Sequence, residues 1–229
     1  MWIPVVIHFF ITMATTAVSL YKLVKSEYPQ ETLILKHLKS TNYSFKVKKS
    51  VVPKIRRHFA QTISHRHWLY NAFTLIRDSL KPHEQVELHR RILSHDLSKF
   101  SVIEAKGYAL KFGGKKNAEL TSGRDVAAWI AALEHHYKVS DHHPQYNVDQ
   151  DMSHYARLES VVDMLGCRLQ RNLSGQPNVT PSDIFNVPAV FLDRYTTVDK
   201  KLVTCHLKRW SNDVLTTPHR RALALRLLQ

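Results

Sequence analysis

The stretch His95-Asp96-Leu97-Ser98-Lys99-Phe100-Ser101 is the most informative part of this chain of 229 residues. An imidazole nitrogen and a carboxylate oxygen on adjacent residues suit a divalent cation such as manganese, iron or zinc. Lys99 follows His95 by one turn, where its ammonium group would suit a substrate phosphate, and the competing interpretation is a salt bridge on the helix surface. Ser101 and Glu104 have the spacing of a capping box, which predicts that a helix begins there. The sequence therefore predicts a metal-binding pair at a helix end, facing a cleft.

A second histidine lies on the apolar face of an earlier predicted helix. His65 shares a stripe with Leu69 and Ala72, whereas His67 lies on the side of Asn71. We therefore favour His65 as the inward ligand and keep His67 as the alternative. The competing interpretation is that both histidines lie on the surface.

More candidate ligands follow the His-Asp pair. His136 projects from the apolar face of a later helix, and the pair His142-His143 begins the loop after it. Asp163 stands between apolar neighbours in a core helix, where an unpaired carboxylate would be costly and a cation or an arginine is expected. Hydrogen-bonded core histidines and an aspartate at the edge of the stripe are the competing interpretations. The predicted metal ligands are His65, His95, Asp96, His136, His142, His143 and Asp163, and the predicted catalytic residues are Asp96 and Lys99.

The apolar pattern predicts an all-α fold. From about residue 57 onward, apolar residues recur at helical spacing, and no alternating run is convincing as a strand. Thr180-Pro181 and Thr217-Pro218 each combine a capping residue with proline at the first helical position, which predicts two more helix starts. We predict a hydrophobic anchor at 1–21, a basic linker at 22–58, a metal-binding helical domain at 59–172, and a C-terminal helical extension at 173–229 that packs on the core.

The N-terminal segment predicts a membrane anchor. Residues Ile3 to Tyr21 are almost uninterrupted apolar, and a helix of this length would span roughly 30 Å, about one bilayer core. Lys22 and Lys25 follow directly, so the positive-inside rule predicts a single-pass membrane protein with a cytosolic C-terminal domain. The alternatives are a cleaved signal peptide, or a buried helix in a soluble cytoplasmic protein.

The segment after the apolar run is strongly basic. Between Lys22 and Arg66 eleven lysines and arginines face only Glu27 and Glu31. Such a surplus favours a polyanionic partner, either an anionic membrane surface or a nucleic acid. Because the chain contains no known nucleic-acid motif, a membrane is the preferred partner and nucleic acid is the least favoured one.

The order His, His-Asp, His, His-His, Asp resembles the HD superfamily, in which such ligands on a helical bundle hold one or two metals. More closely, the chain resembles DUF5662, a family of uncharacterised helical proteins. The resemblance covers about residues 60–170. The matching motifs are His65-Arg66-His67-Trp68-Leu69-Tyr70-Asn71-Ala72, His95–Ser101 with Glu104 and Gly107-Tyr108, Ala128-Trp129 through His136, His142-His143-Pro144-Gln145-Tyr146, and Leu158–Met164.

The superfamily resemblance implies a metal-dependent phosphohydrolase acting on a nucleotide or other small phosphoester, with one or two divalent ions (Mn, Fe, Mg or Zn). His65, His95 and Asp163 would hold the first ion, and His136 with one of His142 or His143 the second. Asp96 would bridge the two ions. Two alternatives keep the same ligands: a di-iron oxygenase on the HD fold, and a membrane-anchored, non-enzymatic protein with a structural metal.

Overall fold

The computed structural model describes residues 15–41, 44–113, 120, 122–147, 149–173 and 175–229. It is mostly helical, which confirms the predicted all-α class, with one pair of short strands in addition. The strands are β1 (Thr15–Ser19) and β2 (Ser44–Lys48). The helices are α1 (Leu20–Glu27), α2 (Thr32–Thr41), α3 (Val52–Ile76), α4 (Pro82–Ser94), α5 (Val102–Phe112), α6 (Gly123–Val139), α7 (His154–Arg168), α8 (Pro181–Phe185), α9 (Ala189–Leu192), α10 (Thr197–Thr216) and α11 (Pro218–Leu228).

The long helix α3 runs through two hydrophobic cores. Its first half contributes Ile55, Phe59 and Ile63 to a core shared with α1, α2 and α5, called here the N-terminal core. Its second half, from Leu69 onward, belongs to a core shared with α4, α7 and the last helices, called here the C-terminal core. His65 therefore lies on α3 at the junction of the two cores.

The connection from α4 to α5 crosses the same junction. Ile92 packs in the C-terminal core and Phe100 packs in the N-terminal core. His95 and Asp96 lie between them and are both buried. The chain thus brings its polar pair to the place where the apolar packing of one core ends and that of the other begins.

Two glycines allow helices to approach closely around this junction. A Cβ atom on Gly107 of α5 would lie 2.3 Å from the Cβ of Ala132 in α6. A Cβ atom on Gly166 of α7 would lie 2.9 Å from the Cα of Leu69 in α3. Since no side chain fits at either position, α5 packs directly on α6 and α7 packs directly on α3.

The structure corrects the prediction that 1–21 form one apolar helix without strands. Residues 15–19 form β1, which pairs antiparallel with β2 in the register Thr15↔Lys48 to Ser19↔Ser44. The β-branched residues Thr15, Thr16 and Val18 favour this extended conformation. The rest of the predicted anchor, residues 1–14, lies outside the described residues. Within the described ranges, the membrane anchor is not supported, because none of their helices is long and apolar enough to cross a bilayer.

The segment predicted as a basic linker is folded. Leu23 and Val24 of α1, with Ile34 and Leu38 of α2, are buried in the N-terminal core. The lysines of both helices remain exposed, so the apolar positions fold inward while the charge stays at the surface.

The C-terminal segment packs on the same core as α3 and α7. Val203 and Trp210 of α10 and Leu228 of α11 are buried in the C-terminal core. The two starts predicted from threonine-proline pairs are confirmed, because α8 begins at Pro181 and α11 begins at Pro218.

Candidate metal centre

The local backbone explains how His95 and Asp96 both face inward. α4 ends at Ser94, and Asp96 adopts a left-handed conformation with φ 59° and ψ 14°. Aspartate tolerates this region better than most residues. Continued helix would have turned two adjacent side chains by about 100° from each other. The reversal at Asp96 and the short 3₁₀ turn Leu97–Phe100 after it instead leave both side chains buried.

One group of predicted ligands, called here the first group, consists of His65, His95 and Asp163. Their ligand atoms all lie within 4.8 Å of one another. The His65 Nε2 atom is 2.9 Å from Asp163 Oδ1, and the His95 Nε2 atom is 3.8 Å from the same oxygen. The three residues come from α3, the α4–α5 connection and α7, so the group forms only in the folded protein.

A second group consists of His136, His142 and His143, whose ligand atoms also lie within 4.8 Å of one another. The Nε2 atoms of His136 and His143 face each other at 2.9 Å. The Nε2 atom of His142 is buried without a hydrogen-bond partner among the described residues. Nitrogen atoms gathered in this way, one of them unsatisfied, fit a site for a cation.

Asp96 lies between the two groups. Its Oδ2 atom is 3.5 Å from His95 Nε2 and 3.9 Å from His65 Nε2, while its Oδ1 atom is 3.7 Å from His136 Nε2. Oδ1 is also buried without a hydrogen-bond partner in the described part of the chain. One carboxylate oxygen is thus directed toward each group, which is the arrangement that a bridging ligand requires.

Lys99 contacts the same carboxylate. Its Nζ atom lies 2.6 Å from Asp96 Oδ2. Burial favours the neutral form of Asp96, but the charge of Lys99 and the neighbouring imidazoles outweigh it and hold the pKa of this carboxyl well below its usual range. Asp96 is therefore an anion and available as a ligand at neutral pH.

Two further carboxylates orient the histidines from outside. Glu159 accepts a hydrogen bond from His95 Nδ1 at 2.8 Å, and its Oε1 atom is 3.4 Å from His142 Nδ1. Arg91 donates to the other oxygen of Glu159 at 2.7 Å. When Nδ1–H of an imidazole is held by a carboxylate, its Nε2 lone pair is left for a metal.

Glu104 performs the corresponding role for the second group. Its two oxygens accept hydrogen bonds from His136 Nδ1 at 2.9 Å and from His135 Nδ1 at 2.6 Å. The Oγ atom of Ser101 accepts from the backbone N–H of Glu104, as the capping pattern predicts. The capping-box spacing predicts that the Glu104 carboxylate caps the start of α5. In the structure this carboxylate instead binds the two histidines.

Burial keeps two imidazoles of the second group neutral. It lowers the pKa of His142 to about 4 and that of His143 to about 2, with neighbouring imidazoles adding to the effect. In the first group burial also disfavours the charged form of His65, but its hydrogen bond to Asp163 prevails and raises its pKa to about 10. A metal in the first group would therefore displace a proton shared by His65 and Asp163.

The structure brings all seven predicted ligands together and places His67 elsewhere. The His67 side chain is 64% exposed and pairs with Glu31 at 2.9 Å. The roles of the seven residues as ligands stay a prediction. The outer carboxylates Glu159 and Glu104 were missed as members of the site. Glu159 had a usable signal, because it precedes Asp163 by four residues and so shares its helix face.

The two groups and Asp96 together are called here the centre. In the described part of the chain, two clefts open on it. One, of about 390 Å³, is lined by Arg90 and Arg91 together with the carboxylates Asp96, Asp141 and Glu159, and is called here the acidic cleft. The other, of about 560 Å³, reaches His65 and Lys99 and is called here the basic cleft. Among the described residues, its lining includes two cations, Lys99 and Arg171, and no carboxylate.

The family model of DUF5662, a family of unknown function, matches residues 54–200. The match covers more than half of the chain. The chain belongs to the DUF5662 family. No curated protein and no solved structure matches the chain.

The DUF5662 match contains the whole candidate centre. All seven predicted ligands, Lys99, Glu104 and Glu159 fall within residues 54–200. The match also extends past the predicted domain end at residue 172 and includes α8, α9 and the first residues of α10. The family region therefore includes part of the segment that we predicted to be an extension.

Proposed function

We propose that this DUF5662 protein is a metal-dependent phosphohydrolase of the HD type that acts on a small phosphoester. One observation carries the proposal: Asp96 directs one oxygen toward each of two histidine-rich groups. Sites that hold two cations about 3.5–4 Å apart commonly serve the displacement of a leaving group from phosphorus.

The donor set fits divalent cations. His65, His95 and Asp163 would hold one ion, and His136, His142 and His143 would hold the other. The unsatisfied buried atoms Asp96 Oδ1 and His142 Nε2 support this assignment, because a cation would give each of them a partner. Imidazole and carboxylate ligands suit Zn, Mn and Fe, and Mg prefers oxygen. A bound divalent cation supplies a water of lowered pKa and polarises the phosphoester oxygen.

The chain's own residues supply the rest of the site. Lys99, which is held beside Asp96 and lines the basic cleft, neutralises charge on a phosphate bound there. Glu159 and Glu104 keep the imidazoles of His95 and His136 turned toward the centre. Burial of Asp96 and His95 excludes bulk water from the ligands.

Hydrolysis of a panel of phosphoesters by the full-length protein, reconstituted with Mn, Fe, Mg or Zn, tests the proposal. We expect release of phosphate by the wild type, at least a hundredfold loss in Asp96→Asn as an order-of-magnitude effect, and no change in His67→Asn. His67 is the matched control because it is a histidine of the same helix that lies outside the centre.

Four results would count against the proposed function or against the role of the centre in it. Absence of phosphate release with every metal would overturn the proposal, and equal activity of Asp96→Asn and wild type would overturn the role of the centre. Iron-dependent oxygen consumption without phosphate release would favour the oxygenase alternative. If the wild type binds metal but shows no measurable turnover, and Asp96→Asn loses that metal, the result would favour a structural metal.

A further inference from the structure

The charge of the two clefts differs. In the acidic cleft, Arg91 pairs with Glu159 and Asp141, and Arg90 pairs with Glu87. In the basic cleft, Lys99 pairs with Asp96, and Arg171 forms no ion pair with any described residue. An anionic ligand that approaches the centre is therefore attracted to the basic cleft and meets carboxylates in the acidic one.

One wall of the basic cleft is aromatic. Tyr108 and Phe112 of α5 line it, and each packs edge-on against Trp129 with ring centroids 5.2 Å apart. The Nζ atom of Lys99 lies 5.4 Å from the centre of the Tyr108 ring. This wall offers apolar surface to the organic part of a ligand next to a cation that suits its phosphate.

Another part of the lining comes from an irregular helical turn. α7 continues into a π-helical turn at Leu169–Leu173, which carries Gln170 and Arg171 into the cleft lining. Such turns are rare and often occur at functional sites. The Nε2 atom of Gln170 donates to Ser64 Oγ at 3.1 Å, while its Oε1 atom is buried without a hydrogen-bond partner among the described residues. A ligand with a hydrogen-bond donor would satisfy this oxygen.

We propose that the basic cleft is the substrate site and that it selects a small phosphomonoester with a second anionic group. The phosphate lies toward Lys99, and the organic part lies against Tyr108. The second anion, a carboxylate or another phosphate, binds the guanidinium of Arg171. The planar fork of N–H donors on a guanidinium matches the geometry of carboxylate and phosphate oxygens. The inference rests on the proposed function, because it assumes that the ligand is a phosphoester.

Equilibrium binding of two non-hydrolysable probes to the manganese-loaded, full-length protein tests this proposal. The probes are benzylphosphonate and 4-carboxybenzylphosphonate, which differ only in the carboxylate. We expect wild type to bind the carboxylated probe about fivefold more tightly, as befits one exposed ion pair. Arg171→Ala should abolish the difference, and Arg171→Lys should keep part of it. Arg90→Ala, in the acidic cleft, is the matched control and should leave the difference unchanged.

The outcomes separate this proposal from the proposed function. Equal affinity of wild type for the two probes, failure of the carboxylated probe to bind, or a loss in Arg90→Ala that matches the loss in Arg171→Ala would overturn the cleft assignment. Phenyl phosphate and 4-carboxyphenyl phosphate are then tested for release of phosphate. The expected binding pattern without hydrolysis would overturn the proposed function and keep the cleft assignment. Hydrolysis of both esters, without an effect of Arg171→Ala on the difference in probe affinity, would keep the proposed function and overturn the cleft assignment.

Discussion

At the scale of single residues, Glu159 gives the sharpest test of how the ligands are held. Its carboxylate accepts from His95 Nδ1 at 2.8 Å and is itself held by Arg91. Glu159→Gln keeps the shape and removes the charge that stabilises the bound imidazole. We expect metal affinity to fall by about tenfold to a hundredfold, as for other outer partners of ligating histidines. Competition with a metal-sensitive dye measures the change.

Glu84→Gln is the matched control for this substitution. Glu84 is also a buried glutamate that binds a histidine, because its Oε1 atom lies 2.8 Å from His154 Nε2, but it does not belong to the centre. If Glu84→Gln weakened metal binding as much as Glu159→Gln, a general loss of stability would explain both results, and the orienting role of Glu159 would be wrong.

The sequence predicts the ligands better than their partners. His65, His95 and Asp163 could be chosen because each interrupts an apolar helix face or lies at a helix end. Glu159 could not be assigned to His95, because 64 positions separate the two residues and only the folded helices bring them together. Helical periodicity predicts which face of its own helix a residue occupies. It does not predict which residue of another helix packs against that face.

At the scale of elements, the approach of α7 to α3 depends on Gly166. A Cβ atom there would lie 2.9 Å from the Cα atom and 3.1 Å from the backbone nitrogen of Leu69. Alanine would gain about 1 kcal/mol of helix propensity, but this contact is with backbone that cannot rotate away, and overpacking costs about 1–3 kcal/mol. We expect Gly166→Ala to lower the free energy of unfolding, measured in urea, and to weaken metal binding because α7 carries Asp163.

Gly123→Ala serves as the control for this change. Gly123 is also a helical glycine, in α6, and a Cβ atom there would meet nothing within 4 Å. It should leave the free energy of unfolding unchanged or raise it by up to about 1 kcal/mol. A Gly166→Ala variant as stable as Gly123→Ala would show that α7 and α3 tolerate a larger separation than the structure implies.

Elements differ in how well the sequence predicts them. α8 and α11 begin at the predicted proline positions because the capping signal is local. β1 and β2 were missed because their pairing joins segments on either side of α1 and α2, and each strand is only five residues long. In a run of five residues, apolar periodicity alone cannot tell a short strand from a short part of a helix.

At the scale of the whole molecule, the candidate centre joins the two hydrophobic cores. Its ligands come from α3, the α4–α5 connection, α6 with the loop after it, and α7. A metal that binds only the folded protein stabilises it by about 2.7 kcal/mol at a concentration a hundred times its dissociation constant. For a chain of this size we expect Mn²⁺ or Zn²⁺ to raise the midpoint of thermal unfolding by about 5–10 °C relative to protein treated with chelator.

Asp96→Ala provides the control for the thermal shift. The variant lacks the residue that links the two groups, so its unfolding midpoint should respond to added metal much less than that of the wild type. A shift of the same size in Asp96→Ala and wild type would mean that the stabilising ion binds outside the centre.

The most direct test of the central claim is the number of ions bound per chain after reconstitution and dialysis, measured by elemental analysis. We predict two ions in the wild type, one in His65→Ala, one in His136→Ala, and two in the exposed control His67→Ala. A wild type that binds fewer than two ions, or a His67→Ala variant that loses as much as His65→Ala, would contradict the assignment of a two-ion centre around Asp96.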